Sequence, residues 1–354
     1  MKNKNTTVTA EGALARRKKA KSIGEKLINN SLYIMLGIYI LIVTINNPRF
    51  ISFDSILNII TNSAYRLPIA LGVAGIIVLT GTDLSAGRVV GLTACITASL
   101  MQRLDYPEKM YPSLGNMNML LVLLLVMVVG GIIGLFNGFF VAKFKLHPFI
   151  VTLATQLIVY AGSLAYIQLG SNAGRPIGGM RDDFTNVVTG KINLFGWELP
   201  IQYLVLYAVI LTFIMWFIWN KTVLGKNMFA VGCNPDAANV SGISVMKTTI
   251  IVFMMAGMLY GINGFFTSAF VGSNNAGTGV NFELDAIAAC VIGGVSFSGG
   301  VGKISGVIIG VLLLQLITSS FIFLRIDGNL QYAIKGAVIL VACALDMRKY
   351  IEKR

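Results

Sequence analysis

The chain has 354 residues, of which only 12% are charged, about half of the roughly 25% that is typical of soluble domains. Apolar residues make up 55% of the chain and the mean hydropathy is +0.76. This composition excludes a disordered chain and argues against an ordinary soluble enzyme, whose surface could not cover so many apolar side chains. The net charge of +13 is open to several explanations until the positions of the basic residues are known.

Ten apolar segments of the chain predict helices that cross a membrane. Apolar runs of this kind are typical of such helices, and none of the segments shows the alternation of apolar and polar residues that indicates a strand. These segments are 27–46, 56–80, 86–102, 118–142, 148–169, 201–219, 248–271, 284–297, 304–324 and 330–346. The eighth is the weakest, since its apolar run, Ala286–Val295, is short for a crossing. A full crossing with an irregular end is preferred there, and a re-entrant half-helix is the alternative. The predicted fold class is an all-α polytopic membrane protein.

The positions of the basic residues predict the orientation of the chain. Most of the 28 Lys and Arg residues fall in segments that share one side of the membrane if the N-terminus is cytoplasmic. Because cytoplasmic loops are enriched in Lys and Arg, both termini are predicted to be inside the cell. Residues 1–26 would form a basic cytoplasmic tail, 27–346 the transmembrane domain with an inside loop at 220–247, and 347–354 a second cytoplasmic tail. This distribution explains the positive charge without a nucleic-acid partner.

Catalytic and metal-binding patterns are missing from the sequence. The four Cys are scattered without a C-x-x-C pair, and there is one His, so no metal site or disulfide framework is expected. A phosphate-binding loop needs Ser or Thr directly after its Lys, but Ile304 follows Lys303. We therefore expect no catalytic residue and no bound cofactor, which leaves an integral-membrane enzyme as a remote alternative.

Glycines recur at every fourth residue in three of the predicted spans. They are Gly130, Gly134 and Gly138, then Gly257 and Gly261, then Gly302, Gly306 and Gly310. This spacing places them on one face of a helix, where the missing side chains let a second helix approach closely. Packing within the chain is the preferred interpretation, and a subunit interface is the alternative.

Two short strings hint at an internal duplication. Residues 81–87 and 294–300 both read G-x-[DS]-[LF]-S-[AG]-G, and both follow a segment predicted to run inwards. Related halves are common in transporters, although so short a match can also arise by chance.

Polar side chains inside the spans are candidates for a solute path. Arg66 is the only charge deep in the second span, and Lys335 lies in the tenth. Such residues usually face the bundle interior or a water-filled route, so Arg66, with Asn62 and Asn263, is a candidate lining of a substrate path. The alternative for Arg66 is a structural ion pair or hydrogen bonds to carbonyls freed by Pro68.

The inside loop contains the signals of a short capped helix. Asn234 is a good N-cap, Pro235 suits the first helical position, Asp236 favours the positive helix end and Gly242 suits the stop. A helix of about two turns is predicted. It is either a solvated loop helix or a rigid element against which a motor subunit can push.

The segment Asp236-Ala237-Ala238-x-x-x-Gly242 resembles the E-A-A-x-x-x-G coupling motif of ABC import permeases, with Asp in place of Glu. Longer strings resemble the sugar-type permeases of the ribose and galactoside group. These strings lie at 81–88, 219–222, 225–227, 283–300 and 331–337. The resemblance extends from about residue 30 to the end of the chain and is weakest in the outside loop at 170–200.

The resemblance implies a subunit of an ATP-driven sugar importer in the bacterial inner membrane. Two copies would form the path, a cytoplasmic ATPase with two nucleotide-binding domains would hold ATP and Mg, and a periplasmic protein would deliver the sugar. Galactose or a methyl galactoside is the first expectation, and ribose or another pentose the second. An ion-coupled secondary carrier is the remaining alternative. The residues that would couple to the ATPase are Asn234, Pro235, Asp236, Ala237, Ala238 and Gly242.

Overall fold

The computed structural model describes residues 31–194 and 197–351, and within them the chain is almost entirely helical. The basic tail at 1–26 and the last residues of the second tail lie outside the described residues. The helices are α1 (Ser31–Asn46), α2 (Phe53–Val78), α3 (Ala86–Leu100), α4 (Met119–Phe144), α5 (Pro148–Ile167), α6 (Asp182–Thr189), α7 (Tyr203–Lys221), α8 (Val223–Cys233), α9 (Pro235–Val240), α10 (Val245–Val271), α11 (Phe282–Ile292), α12 (Ile304–Phe323) and α13 (Gly328–Ile351). The predicted all-helical membrane fold is confirmed at this level, and each predicted span overlaps one of these helices.

The helices differ in whether they could cross a bilayer. In the described part of the chain, six are long and apolar enough to do so, namely α2, α4, α5, α7, α10 and α12. Helices α3 and α11 are shorter, at 15 and 11 residues. Ten crossings and the orientation of the chain therefore stay predictions.

Helices α2 and α10 form the centre of the bundle. Both are mostly buried, whereas α4, α5 and α7 expose much of their apolar surface on the outside. Helix α10 packs against α4, α3 and α2. Lipid tails are as apolar as the side chains, so burial of apolar surface alone does not hold these helices together in a membrane. Close packing and hydrogen bonds between helices must supply the specificity.

Glycines supply the close packing between α4 and α10. A methyl group built on Gly130 would overlap the Gly257 carbonyl oxygen, and one on Gly134 would overlap the Phe253 carbonyl oxygen. On the opposite helix, a methyl group on Gly261 would overlap the Val126 carbonyl oxygen. The glycines of this face therefore meet a helix of the same chain. Gly138 lies further along the same contact, near Ile250.

The glycines of α12 face α11 in the same way. A methyl group on Gly306 would overlap the Gly293 carbonyl oxygen, and one on Gly310 would overlap the Ala289 carbonyl oxygen. Gly302 is looser, since its nearest neighbour would be the Val78 side chain at 3.1 Å.

Irregular chain with turns precedes two of the shorter helices, α3 and α11. Residues 79–85 turn back into the protein before α3 begins, so that the Leu84 amide donates to the Thr152 hydroxyl in α5 at 3.1 Å. Residues 275–281 run along α3, where the Cys95 thiol donates to the Asn275 carbonyl at 3.4 Å. Irregular backbone at this depth is tolerated only when it is buried in protein, and both segments are packed against α3 or α5.

One end of the bundle is capped by short elements. Helix α6 and a two-stranded antiparallel hairpin, β1 (Lys191–Leu194) and β2 (Trp197–Gln202), occupy the loop predicted at 170–200. The hairpin pairs Lys191 with Gln202, and a register shift follows. Phe184 of α6 packs edge-on against Phe265 of α10, with the ring centroids 5.0 Å apart.

Enlarging a glycine of the α4–α10 contact should destabilise the chain. We expect Gly134→Ala to lower the free energy of unfolding by about 1–3 kcal/mol, because the added methyl overlaps a backbone oxygen that cannot rotate away. The measurement is thermal unfolding of the detergent-solubilised protein. Gly162→Ala on α5 is the matched control, since no heavy atom lies within 4 Å of its added methyl. Equal melting temperatures for the two variants would contradict the packing argument.

Candidate functional site

Helix α9 is the capped helix that the inside loop predicts. The Asn234 side-chain oxygen accepts hydrogen bonds from the amides of Asp236 and Ala237, both at 3.0 Å. Pro235 occupies the first turn, and the Gly242 amide donates to the Asn239 carbonyl at 3.0 Å with Gly242 at φ +83°. The cap residues fix both ends of the helix, so a two-turn segment can be rigid although it is too short to be stable alone.

The outer face of α9 is free to meet another molecule. Ala238 is buried and anchors the helix, whereas Asp236, Ala237 and Asn239 are exposed. Val240 is 90% exposed, which is the highest value for a large apolar side chain in the described part of the chain. Sequence reasoning missed Val240, because an exposed valine at the end of a helix has no motif of its own.

Backbone contacts fix the chain before α9. They join four residues that we name the glycine junction, namely Val78, Gly232, Gly299 and Gly300. The Gly300 amide donates to the Val78 carbonyl at 2.9 Å. A methyl group on Gly232 would overlap the Val78 carbonyl oxygen and would lie 2.7 Å from the Gly300 nitrogen. Gly299 and Gly300 have φ values of +78° and +66°, which favour glycine. The end of α2, the end of α8 and the loop after α11 therefore meet at one point.

The two similar strings lie at this end of the molecule. Residues 81–87 link α2 to α3, and residues 294–300 link α11 to α12. They are neighbours, since a methyl group on Gly299 would overlap the Thr80 side chain. An internal duplication stays a prediction.

The first string contains a buried polar network that holds the start of α3. Asp83 accepts from the amide and the hydroxyl of Ser85, at 2.9 and 2.6 Å. The Asn137 amide of α4 donates to the Ser85 hydroxyl at 3.0 Å, and the Thr155 hydroxyl of α5 donates to Asn137 at 2.6 Å. These bonds connect three helices across a region where unpaired polar groups would be costly.

A cavity of about 600 Å³ lies beside α9. One wall is formed by Pro235, Asp236 and Asn239, and the facing wall by the α4–α5 turn, including Lys145 and Pro148. The cavity leaves space for α9 to shift relative to that turn.

Arg66 belongs to a cluster of three charged side chains. Its Nη1 lies 2.5 Å from an Asp285 carboxylate oxygen, and the Lys335 Nζ lies 3.2 Å from both oxygens of the same carboxylate. The guanidinium also sits over the Phe282 ring, 4.7 Å from its centroid. The sequence offered one signal for the pairing that was missed, namely the acidic residues at the start of the weak eighth span.

The two asparagines proposed with Arg66 each donate a hydrogen bond to a backbone carbonyl near it. The Asn62 side chain donates to the Asn58 carbonyl of its own helix at 2.8 Å. Asn263 is fully buried, and its amide donates to the Tyr65 carbonyl at 2.8 Å, which ties α10 to α2. Asn62 lies one helical turn before Arg66, on the same side of α2, and their place on a substrate path stays a prediction.

The described residues contain no group of three or more His, Cys, Asp or Glu side chains that could hold a metal ion. The single His is an N-cap: the Phe149 amide donates to the His147 Nδ1 at 3.4 Å at the start of α5.

Comparison with known proteins gives one family over most of the chain. Residues 55–343 match the family described as branched-chain amino acid transport system / permease component. The chain is 42% identical to the galactose/methyl galactoside import permease protein MglC of Escherichia coli (strain K12), over 94% of this chain and 98% of the relative. Identity to the Haemophilus influenzae MglC (strain ATCC 51907 / DSM 11121 / KW20 / Rd) is 41%, over 93% and 96%.

A second group of relatives is more distant. The ribose import permease protein RbsC of the same Haemophilus influenzae strain is 35% identical over 92% of this chain and 94% of the relative. RbsC of Bacillus subtilis (strain 168) is 33% identical over 89% and 92%. No solved structure matches the chain. Because the family model matches most of the chain, this chain belongs to the family described as branched-chain amino acid transport system / permease component.

Proposed function

We propose that this chain is the membrane-spanning permease subunit of an ATP-driven importer for galactose and methyl galactosides. The observation that carries the proposal is the match over nearly the whole chain to permeases of that description, at higher identity than to the ribose permeases. The chain is a transport component and not an enzyme, and its place is the bacterial inner membrane. Ribose is the second candidate substrate.

The energy source in this proposal lies on another polypeptide. A cytoplasmic ATPase with two nucleotide-binding domains would bind ATP and Mg and contact the exposed face of α9. A second copy of the permease would complete the path, and a periplasmic sugar-binding protein would supply the ligand. The rigid cap of α9 and the exposed Val240 side chain support α9 as the contact with the ATPase.

The glycine junction would pass the movement of α9 into the membrane. Gly232 lies in the last turn of α8, just before the cap of α9, and touches the last turn of α2 and the loop after α11 at the backbone, where no flexible side chain can absorb a shift. Helices α2 and α11 also bear Arg66 and Asp285. A displacement of α9 would therefore pass along these two helices toward the charged cluster.

The substrate assignment is tested by reconstitution. Proteoliposomes that contain the permease, its ATPase and the binding protein should accumulate labelled galactose when ATP is supplied. Unlabelled methyl galactoside should suppress that uptake, whereas ribose at the same concentration should not. Omission of the ATPase is the control and should abolish uptake. Preferential suppression by ribose, or uptake driven by an ion gradient without the ATPase, would contradict the proposal.

A charge on the exposed face of α9 should weaken coupling without unfolding the chain. We expect Val240→Lys to lower ATP-driven uptake at least tenfold, because the apolar contact is replaced by a charge that must be desolvated on docking. The melting temperature should not change, since the side chain is 90% exposed. Leu104→Lys, at another exposed apolar position, is the control and should transport normally. Normal uptake by Val240→Lys would argue against α9 as the contact.

The orientation is tested by labelling Cys233, which is exposed, whereas Cys95 and Cys290 are buried. In a Cys343→Ser chain, a thiol reagent that cannot cross membranes should label inside-out vesicles and spare intact spheroplasts, because loop 220–247 is proposed to be cytoplasmic. A Cys233→Ser chain should lose the signal in both preparations. Labelling from the outside would reverse the proposed topology.

A further inference from the structure

Three charged side chains meet at the middle of the bundle. Arg66 lies at the midpoint of α2, Asp285 in the first turn of α11, and Lys335 in the first half of α13. The single carboxylate accepts from both cations, at 2.5 Å from Arg66 and 3.2 Å from Lys335. The cluster therefore holds one more positive than negative charge. Such a cluster is costly at membrane depth, and intramembrane charges usually mark a solute or ion route.

The exposure of these side chains limits what they can face. Their exposed fractions are 26% for Arg66, 15% for Asp285 and 18% for Lys335. A cluster with a net charge cannot present that surface to hydrocarbon, because transfer of an ion from water into lipid costs several kcal/mol. Its open side must therefore face water, a polar solute or polar groups of another subunit in the assembled transporter, and the groups that surround it favour the solute.

The cluster lies at the start of a short helix. Helix α11 begins at Phe282, level with the midpoint of α2, after a run of turns at 275–281. Transporters commonly place their substrate sites at such broken helices, near the bilayer midplane, because the helix end and the irregular backbone offer hydrogen bonds there. The position of α11 thus agrees with the argument from charge.

Neutral polar groups and an aromatic ring surround the cluster. A small cavity, of about 10 Å³, is lined by Arg66, Phe282 and Asp285 and by Gln315 and Thr318 of α12. In this conformation it has room for about one water molecule. Its walls offer donors, acceptors and an aromatic ring, which are the groups that recognise the hydroxyls and the apolar face of a pyranose.

We propose that Arg66, Asp285 and Lys335, with Gln315 and Thr318, form a sugar-contact site on the transport route. The ion pairs satisfy one another in this closed conformation. When the cavity widens, hydroxyl groups of an uncharged hexose replace part of those contacts, donating to Asp285 and accepting from Arg66 and Lys335. This inference rests on the proposed function, since it takes a sugar as the transported solute.

Cysteine accessibility on α12 tests the site. Thr318 lines the cavity, and Ile309 lies nine residues earlier, on the opposite face of the helix, with 45% of its side chain exposed. In a chain without Cys233 and Cys343, assembled with its ATPase and binding protein in proteoliposomes, Thr318→Cys should react with a charged thiol reagent during ATP turnover. We expect a rate at least tenfold above that of Ile309→Cys, which faces lipid. Saturating galactose should slow the reaction at Thr318→Cys at least twofold.

The outcomes separate this inference from the proposed function. Galactose uptake by the parent chain tests the function alone, before any cysteine is introduced. If the parent transports galactose and Thr318→Cys reacts no faster than Ile309→Cys in the resting and turnover states, the inference fails and the function stands. A disulfide between two Thr318→Cys copies would also overturn it, because the surface would then be an interface. Gln315→Cys replaces Thr318→Cys if the latter does not assemble.

A kinetic readout distinguishes solute contact from structural support. Arg66→Gln should raise the galactose concentration for half-maximal uptake and change the ratio of galactose to methyl galactoside transport, whereas Arg66→Lys should restore most of both. Loss of maximal rate alone, with that ratio unchanged, would show a structural role and contradict the proposal.

Discussion

The structure depends on one constraint: in a bilayer every backbone polar group must find a partner within the protein. Most of the chain meets this constraint by forming helices, and glycines let α4 and α10 pack backbone against backbone, which no larger residue would allow. The irregular segments at 79–85 and 275–281 cannot meet it alone and are held against neighbouring helices. The Leu84 amide donates to the Thr152 hydroxyl of α5, and the Cys95 thiol of α3 donates to the Asn275 carbonyl. Closely packed helices thus provide the protein surroundings in which irregular backbone is tolerated.

The same close packing determines how the end of the bundle that contains α9 connects to the centre. At the glycine junction, Gly232 meets the carbonyl of Val78 and the amide of Gly300 without an intervening side chain. Contacts between backbones transmit displacement better than contacts between flexible side chains, because they have no rotamers to exchange. Helix α9 is rigid through its caps and is followed directly by α10. The chain before α9 thus contacts α2, and the chain after α9 continues into α10, and these two helices build the core.

Local features could be predicted from the sequence, and distant pairings could not. The apolar segments, the Asn234 cap and the spacing of the glycines are all encoded within a few residues, where helix geometry decides the outcome. The partner of Arg66 lies 219 positions away, and no periodicity indicates it. The asparagines show the same limit: the pattern marks Asn263 as polar within a span, but only the fold shows that its amide joins α10 to α2. The eighth span was ambiguous because its helix has only 11 residues and follows a run of turns at 275–281.

A charged cluster suits the passage of an uncharged sugar for a physical reason. A hexose must shed water from several hydroxyl groups, and each group left without a partner costs about 1–3 kcal/mol. Neutral side chains could replace that water, but a tight neutral site would also retain the sugar. In the cluster of Arg66, Asp285 and Lys335, the carboxylate and the cations pair with one another whenever the solute leaves. The charged groups of the closed state then have partners without ligand. The sugar therefore competes with ion pairs of comparable strength and can be released.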